Sequence, residues 1–195
     1  MDRDTELALV GRLRDGDGEA FDAVYDAYRA PLFGFLRRLS RRRDVAEDLL
    51  EETWLRLVAS ARTLRPDTRL GAWLFTVARN LTWSYFRSHR MREARTVELL
   101  GLWPLADGGP SPFELAAAGE LEDRLERALA ELPARHREVL LLVAASGLTP
   151  AEAAAICGVR PEALRQRLSR ARAALAEELE TPRPVATPRL EEVPT

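Results

Sequence analysis

The chain has 195 residues, 46% of them hydrophobic and 31% charged, with a formal net charge of −2. That length allows one large domain or two small ones, and no run nears the ~20 apolar residues of a bilayer span. A single Cys157 excludes an intramolecular disulfide, and with His89 and His136 the only histidines, neither a tetrahedral zinc site nor any other metal or cofactor is expected.

The first twenty residues mix acids with short apolar stretches and hold no signal-type apolar core, so a soluble, cytoplasmic protein is expected. Every basic residue is arginine, and the arginines are segregated. One cluster is Arg37, Arg38, Arg41, Arg42 and Arg43; a second is Arg87, Arg90, Arg92 and Arg95 with His89; the third runs from Arg160 to Arg172. Local patches, not the total, set the field felt by a polyanion, so net acidity does not exclude a nucleic-acid partner.

Nearly every segment has helical period, and the fold class expected is all-α. A first helix over about Thr5–Arg14 ends at the DGDG break. A second covers about Glu19–Tyr28, with Phe21, Val24, Tyr25 and Tyr28 on its apolar side. Pro31 is expected to open a third, carrying Leu32, Phe33, Phe35, Leu36 and Leu39, because proline suits a first helical position. Asp44 with Glu47 predicts a capped fourth helix reaching Ala59 through Leu49, Leu50, Trp54, Leu57 and Val58. After an irregular loop holding Pro66, a fifth helix runs from Leu70 toward Arg90. From 96 to 119 proline and glycine concentrate as in a linker, although Leu102, Trp103 and Phe113 suggest that part of it docks on a surface. Helices resume over Glu120–Glu131, Ala134–Ala145, Pro150–Cys157 and Pro161–Glu180. The tail, 181–195, has four prolines and is expected to be extended or disordered. The division is therefore 1–95, a linker 96–119, a second domain 120–180, and the tail.

The last two helices carry the sharpest signal. Thr149, Pro150 and Glu152 make a capping box with proline at the first helical position, Gly158 supplies a left-handed stop, and Pro161 opens the next helix. Leu164, Leu168, Ala171, Leu175 and Leu179 then form one apolar stripe. Arg165, Gln166, Ser169, Arg170 and Arg172 fall off it, facing outward. Helix, glycine turn and arginine-rich helix form the layout of a helix-turn-helix reader of the major groove. Arg160, a poor N-cap, is placed to reach a phosphate. Cys157 reads as a small buried hydrophobe.

On the fifth helix Trp73, Val77, Asn80, Ser84 and Arg87 mix aromatic, amide, hydroxyl and guanidinium groups, a combination that suits unstacked bases of single-stranded DNA. Trp73 is expected in the core and Trp83, between Thr82 and Ser84, on the surface. On the fourth helix Asp48, Glu51 and Glu52 project acids: a solvated face, or a docking face for a basic protein surface, since DNA would be repelled. A glycine-rich nucleotide loop and a nucleophile–histidine pair are both missing, so an enzyme is not expected.

The segments AEDLLEETWLRL, WLFTVARN, LPARHREVLLL and RQRLSRAR, in this order and spacing, resemble the extracytoplasmic-function sigma factors, minimal sigma subunits of bacterial RNA polymerase. The resemblance spans about Asp4–Leu179. It implies a sigma-two-like helical bundle joined by the linker to a sigma-four-like helix-turn-helix domain. Asp48, Glu51 and Glu52 match the acidic helix that grips a β′ coiled coil. The loop Ser60–Arg69, with Arg65, Asp67 and Arg69, matches the loop that captures a flipped non-template base of the −10 element. Asn80, Ser84 and Arg87 match its DNA-facing helix. Arg165, Gln166, Ser169 and Arg170 match the face that reads the −35 element. Implied partners are core RNA polymerase through its β′ coiled coil and β flap, promoter DNA, and an anti-sigma factor. The chain departs from the family at Glu51, where glutamine is usual, at Ser84, often aspartate, and in the Arg160–Ala163 opening of the recognition helix. The rival readings are a stand-alone helix-turn-helix regulator, which leaves the acidic and aromatic-amide helices unexplained, and a sigma-derived adaptor.

Overall fold

The structure, a computed structural model, describes residues 1–100, 120–145 and 148–180, with the side chains of 1–89, 121–144 and 148–180. The linker docking through Leu102, Trp103 and Phe113 and the tail 181–195 lie outside these residues, as do the side chains of Arg90, Arg92 and Arg95 of the second arginine cluster. The described elements are α-helical apart from one 3₁₀ turn, Ala61–Thr63. Helix α1 spans Arg3–Arg14, α2 Gly18–Ser40, α3 Arg43–Ser60, and α4 Leu70–Leu100. After them come α5 (Glu120–Glu131), α6 (Ala134–Ala145), α7 (Pro150–Cys157) and α8 (Pro161–Glu180).

Local chemistry explains most of the boundaries. The Asp2 side chain caps α1 by accepting from the Thr5 amide at 2.9 Å. The helix stops at Gly16, whose φ of 83° only glycine adopts at little cost. Asp17 then caps α2, accepting from the Glu19 amide at 2.9 Å.

Three boundaries differ from expectation, and one is the end of α4, which continues past Arg90 to Leu100 and so into the start of the expected linker 96–119. Pro31 does not open a helix; it lies inside the continuous 23-residue α2. An interior proline forfeits one backbone hydrogen bond and costs about 3 kcal/mol. The unbroken helical phase, however, keeps Val24, Leu32, Phe35, Leu36 and Leu39 on one side, all fully buried. Each is worth roughly 1.5–3 kcal/mol of burial, which outweighs the loss. Nor does Asp44 cap α3. The N-cap is Arg42, without a side-chain cap bond, and Asp44 sits in the first turn, paired with the Arg42 guanidinium. The acid still complements the helix dipole there. Arg43 pairs with Glu47 at 3.0 Å, one turn on.

The core follows the expected stripes. Phe35 of α2 meets Phe75 of α4 edge-to-face at 5.4 Å, and Trp54 of α3 packs on Phe21 and Tyr25. Trp73 is partly buried against this core. The helix-turn-helix start is as read: Thr149 and Glu152 form both halves of the capping box, and Gly158 ends α7 at φ 65°. Cys157 is buried.

The C-terminal helices lie directly on α2 and α4, and the buried side chains of both halves join in one core. Arg137, 4% exposed, anchors this packing. Its guanidinium donates to the carbonyls of Leu129, Ala130 and Leu132 at the end of α5, and to those of Arg38 and Leu39 at the end of α2. Helix C-termini leave such carbonyls without partners and carry partial negative charge, so one cation serves two helix ends.

Candidate nucleic-acid interface

Helix α8 buries Leu164, Leu168 and Ala171 against α6 and α7. That fixes the rotation of the helix. Arg165, Gln166, Ser169, Arg170 and Arg172 are all exposed, as is Arg160 just before the helix. Arg165 rests on Glu162 at 3.0 Å, with both side chains 69% exposed. An exposed pair of this kind is weak and exchanges readily for a stronger acceptor. The arrangement offers guanidinium, amide and hydroxyl donors along one face, rigidly backed.

The acids of α3 stand on a different surface. Asp48 and Glu51 are exposed, and Glu52, half-buried, holds Arg56 at 2.9 Å. Leu55 and Val58 are exposed on the same helix, 56% and 59%, so the acids border an apolar patch. A face of that composition suits a protein and repels DNA.

The loop between α3 and α4 presents Arg65 and Asp67, both exposed and paired at 3.0 Å. Arg69 is bound differently: it reaches Glu6 of α1 at 3.3 Å and Glu152 of α7 at 3.0 Å. Along α4, Asn80, Ser84 and Arg87 are exposed, and Ser84 accepts from Arg87 at 3.1 Å. Trp83 corrects the expectation of a free surface ring. It is half-buried, its indole N–H donates to Glu138 of α6 at 2.7 Å, and Arg135 lies 5.1 Å from the ring centroid. The reason is tertiary: α6 packs across this face, and a buried indole N–H takes a partner.

Glu138 is the centre of that contact and was not visible in the sequence. It is fully buried, and the same carboxylate oxygen accepts from Trp83 and from Arg79 at 2.7 Å. Arg79 also donates to the Cys157 carbonyl at 3.2 Å. On α2, Arg38 pairs with Glu126 of α5 at 2.6 Å. The only available signal was an acid placed among the apolar residues of LPARHREVLLL. Burial pushes the Cys157 thiol up to about 11, with the Glu138 charge adding to the effect. For Glu152, burial works to raise the pKa, but bonds from the Thr149 amide and hydroxyl, with Arg69, hold it below the usual range.

Among the described residues no helix is long and apolar enough to cross a membrane, and no three His, Cys, Asp or Glu converge as for a metal ion. Residues 24–92 match the family model for sigma-70 region 2, and residues 122–175 that for sigma-70 region 4. The chain is similar to the ECF RNA polymerase sigma factor EcfG of Rhodopseudomonas palustris, 39% identical over 149 residues, covering 74% of this chain and 77% of that protein. It is also similar to the ECF RNA polymerase sigma factor SigC of Mycobacterium tuberculosis, 33% identical over 185 residues, covering 92% and 94%. Among solved structures it is similar to the sigma factor RpoE of Bartonella quintana in complex with the anti-sigma factor NepR. That match has a TM-score of 0.67 and 32% identity, covering 84% of this chain and 98% of the other.

Proposed function

As a member of the extracytoplasmic-function sigma factors, the chain directs core RNA polymerase to promoters for transcription initiation, and we propose that it divides this work among three faces. Arg165, Gln166, Ser169 and Arg170 read the −35 element, with Arg160 and Arg172 on phosphates. Arg65, Asp67 and Arg69 of the loop, with Asn80, Trp83, Ser84 and Arg87 of α4, engage the −10 element as it melts. Asp48, Glu51 and Glu52 dock on a basic surface of core polymerase, with Leu55 and Val58 adding apolar contact. Residues 1–95 and 120–180 act as separate domains on the linker 96–119. The protein works in the cytoplasm as a binding factor without catalysis of its own, and an anti-sigma factor is its natural inhibitor. The stand-alone regulator reading leaves the region 2 match over 24–92 without a role.

One observation carries the assignment of faces: the polar donors of α8 are exposed together, behind a capped helix and a left-handed Gly158 that fix its angle. The packing of α6 and α7 on α4 adds a requirement. Trp83 and Arg69 are engaged by Glu138 and Glu152, so the two halves separate before the −10 face is complete. Run-off transcription with core polymerase on genomic fragments, with start sites mapped, tests the reading. Initiation from a defined promoter class, lost with Asp48→Arg through lost core binding, is expected. Wild-type and Asp48→Arg proteins that capture core polymerase equally would overturn the docking face.

A further inference from the structure

Helix α4 begins with a defect. Its N-cap position is Arg69, whose carbonyl accepts from the Trp73 amide at 2.8 Å but whose side chain has no acceptor for the first free amides. The missing acceptor comes from 65 residues upstream. Glu6 of α1, 6% exposed, accepts from the Gly71 amide at 3.3 Å. Its second oxygen holds Arg3 at 2.7 Å and Arg69 at 3.3 Å. Arg3 in turn donates to the carbonyls of Asp67 at 2.7 Å and Thr68 at 3.2 Å. A carboxylate buried at a helix N-terminus is favoured by the dipole, and its two guanidinium partners offset the cost of burial. Gly71 completes the fit: a Cβ there would lie 3.1 Å from the Tyr28 hydroxyl oxygen. Position 71 therefore admits glycine alone without moving Tyr28.

This brace ties down the end of the loop Ser60–Arg69 and leaves its tip open. Arg65 and Asp67 stay exposed, while the backbone at 67 and 68 is fixed by Arg3 and the exit at 69–71 by Glu6. We infer that Arg3 and Glu6 are positioning residues for base recognition by this loop, setting where Arg65 and Asp67 stand without touching DNA themselves. The inference rests on the proposed role of the loop in reading the −10 element. Arg3→Met removes the two carbonyl contacts and the Glu6 ion pair from a half-exposed position, and Glu6→Gln removes the charge while keeping the shape.

Two measurements on the full-length chain test it. The first is hydrogen exchange of the hydrogen-bonded Leu64, Thr68 and Gly71 amides, which is expected to quicken at least about tenfold in Arg3→Met and Glu6→Gln, the loss of at least one charge-assisted hydrogen bond. Exchange unchanged in both variants overturns the brace. The second is transcription with core polymerase on promoters carrying each of the four bases at each −10 position, beside Asp67→Ala as a direct loop variant. The brace variants are expected to compress the base preference about tenfold at the position where Asp67→Ala acts, with core affinity and −35 preference unchanged. Quickened exchange with a uniform loss on every promoter makes Arg3 and Glu6 merely structural and overturns the inference. If Asp67→Ala itself moves no preference while exchange still quickens in the brace variants, it is the loop's assignment that has failed.

Discussion

Replacing Arg79 by glutamine tests whether the buried carboxylate of Glu138 holds the two halves together. In the closed arrangement one oxygen of Glu138 accepts from Arg79 and from the Trp83 indole, both at 2.7 Å, with the carboxylate fully buried. Arg79→Gln strips the cation from that carboxylate and leaves the indole in place. Removing one partner of a buried ion pair costs about 3–5 kcal/mol, since the other charge stays out of water. The Arg79 side chain is only 17% exposed, so solvent screens the pair little. A glutamine amide restores one neutral hydrogen bond, which puts the expected loss near the lower limit, about 3 kcal/mol. Opening lets Glu138 hydrate, so the penalty falls on the closed form and shifts closed to open by about 100-fold.

Exchange of the Trp83 indole N–H, followed by NMR, reports that opening even when the open form is rare. Arg79→Gln is expected to accelerate it about 100-fold. The indole of Trp54, buried beneath Phe21 and Tyr25 away from α6, is the internal control and keeps its rate. Acceleration below about fivefold would show that the pair does not hold the interface. Equal acceleration at Trp54 would show that the whole fold, not the interface, had loosened.

Further outcomes follow from the same geometry. Arg165→Ala is expected to cost ~1–3 kcal/mol in promoter binding, at one −35 base only if the arginine is bidentate to guanine; an equal loss on every promoter reduces it to a phosphate contact. Thr149→Ala removes half the α7 capping box and is expected to lower stability by about 1 kcal/mol in thermal unfolding. Glu152 has its pKa lowered in the folded state, so its contribution is full above the ordinary value of 4.5 and is lost as pH falls through the depressed one. Stability measured from pH 5 downward should show this loss in the wild type and a smaller one in Thr149→Ala. Cys157, with its thiol pushed up to about 11, should alkylate about a thousandfold more slowly at pH 8 than a fully ionised thiolate.

What the sequence disclosed and what it withheld divide along sequence separation. The α7–α8 unit was readable to the residue because its determinants are local: a cap and its acid three positions apart, a left-handed glycine, and a stripe at helical spacing. The exposure of Arg165, Gln166, Ser169 and Arg170 followed from the burial of Leu164 and Leu168 on the same helix. Pro31 misled because a local rule for helix starts was set against burial of a stripe, 24 to 39, that only the assembled core rewards. Trp83 misled in the same way, since its partner Glu138 lies 55 residues away. Arg3 and Glu6 carry no local signal, because their contacts with the loop and the α4 start span 64 and 65 residues.

These long-range contacts share a composition that bears on how the protein is used. Beside the shared apolar core, the interface between the halves carries Arg79–Glu138, Arg38–Glu126 and Arg69–Glu152, together with Arg137 on helix-end carbonyls. Apolar side chains packed there can separate only at the cost of exposing them to water, whereas an arginine can exchange one anion for another at small net cost. On the proposed −10 role, promoter phosphates would compete for the Arg69 guanidinium, and counterion release would favour the exchange. Arg69 and Arg79 stand on or beside the proposed −10 face, so these two ion pairs are the closing contacts that DNA could compete for under the proposed function. Higher salt should therefore loosen the more exposed of these pairs, Arg69–Glu152, before the fully buried carboxylate of Glu138 lets go.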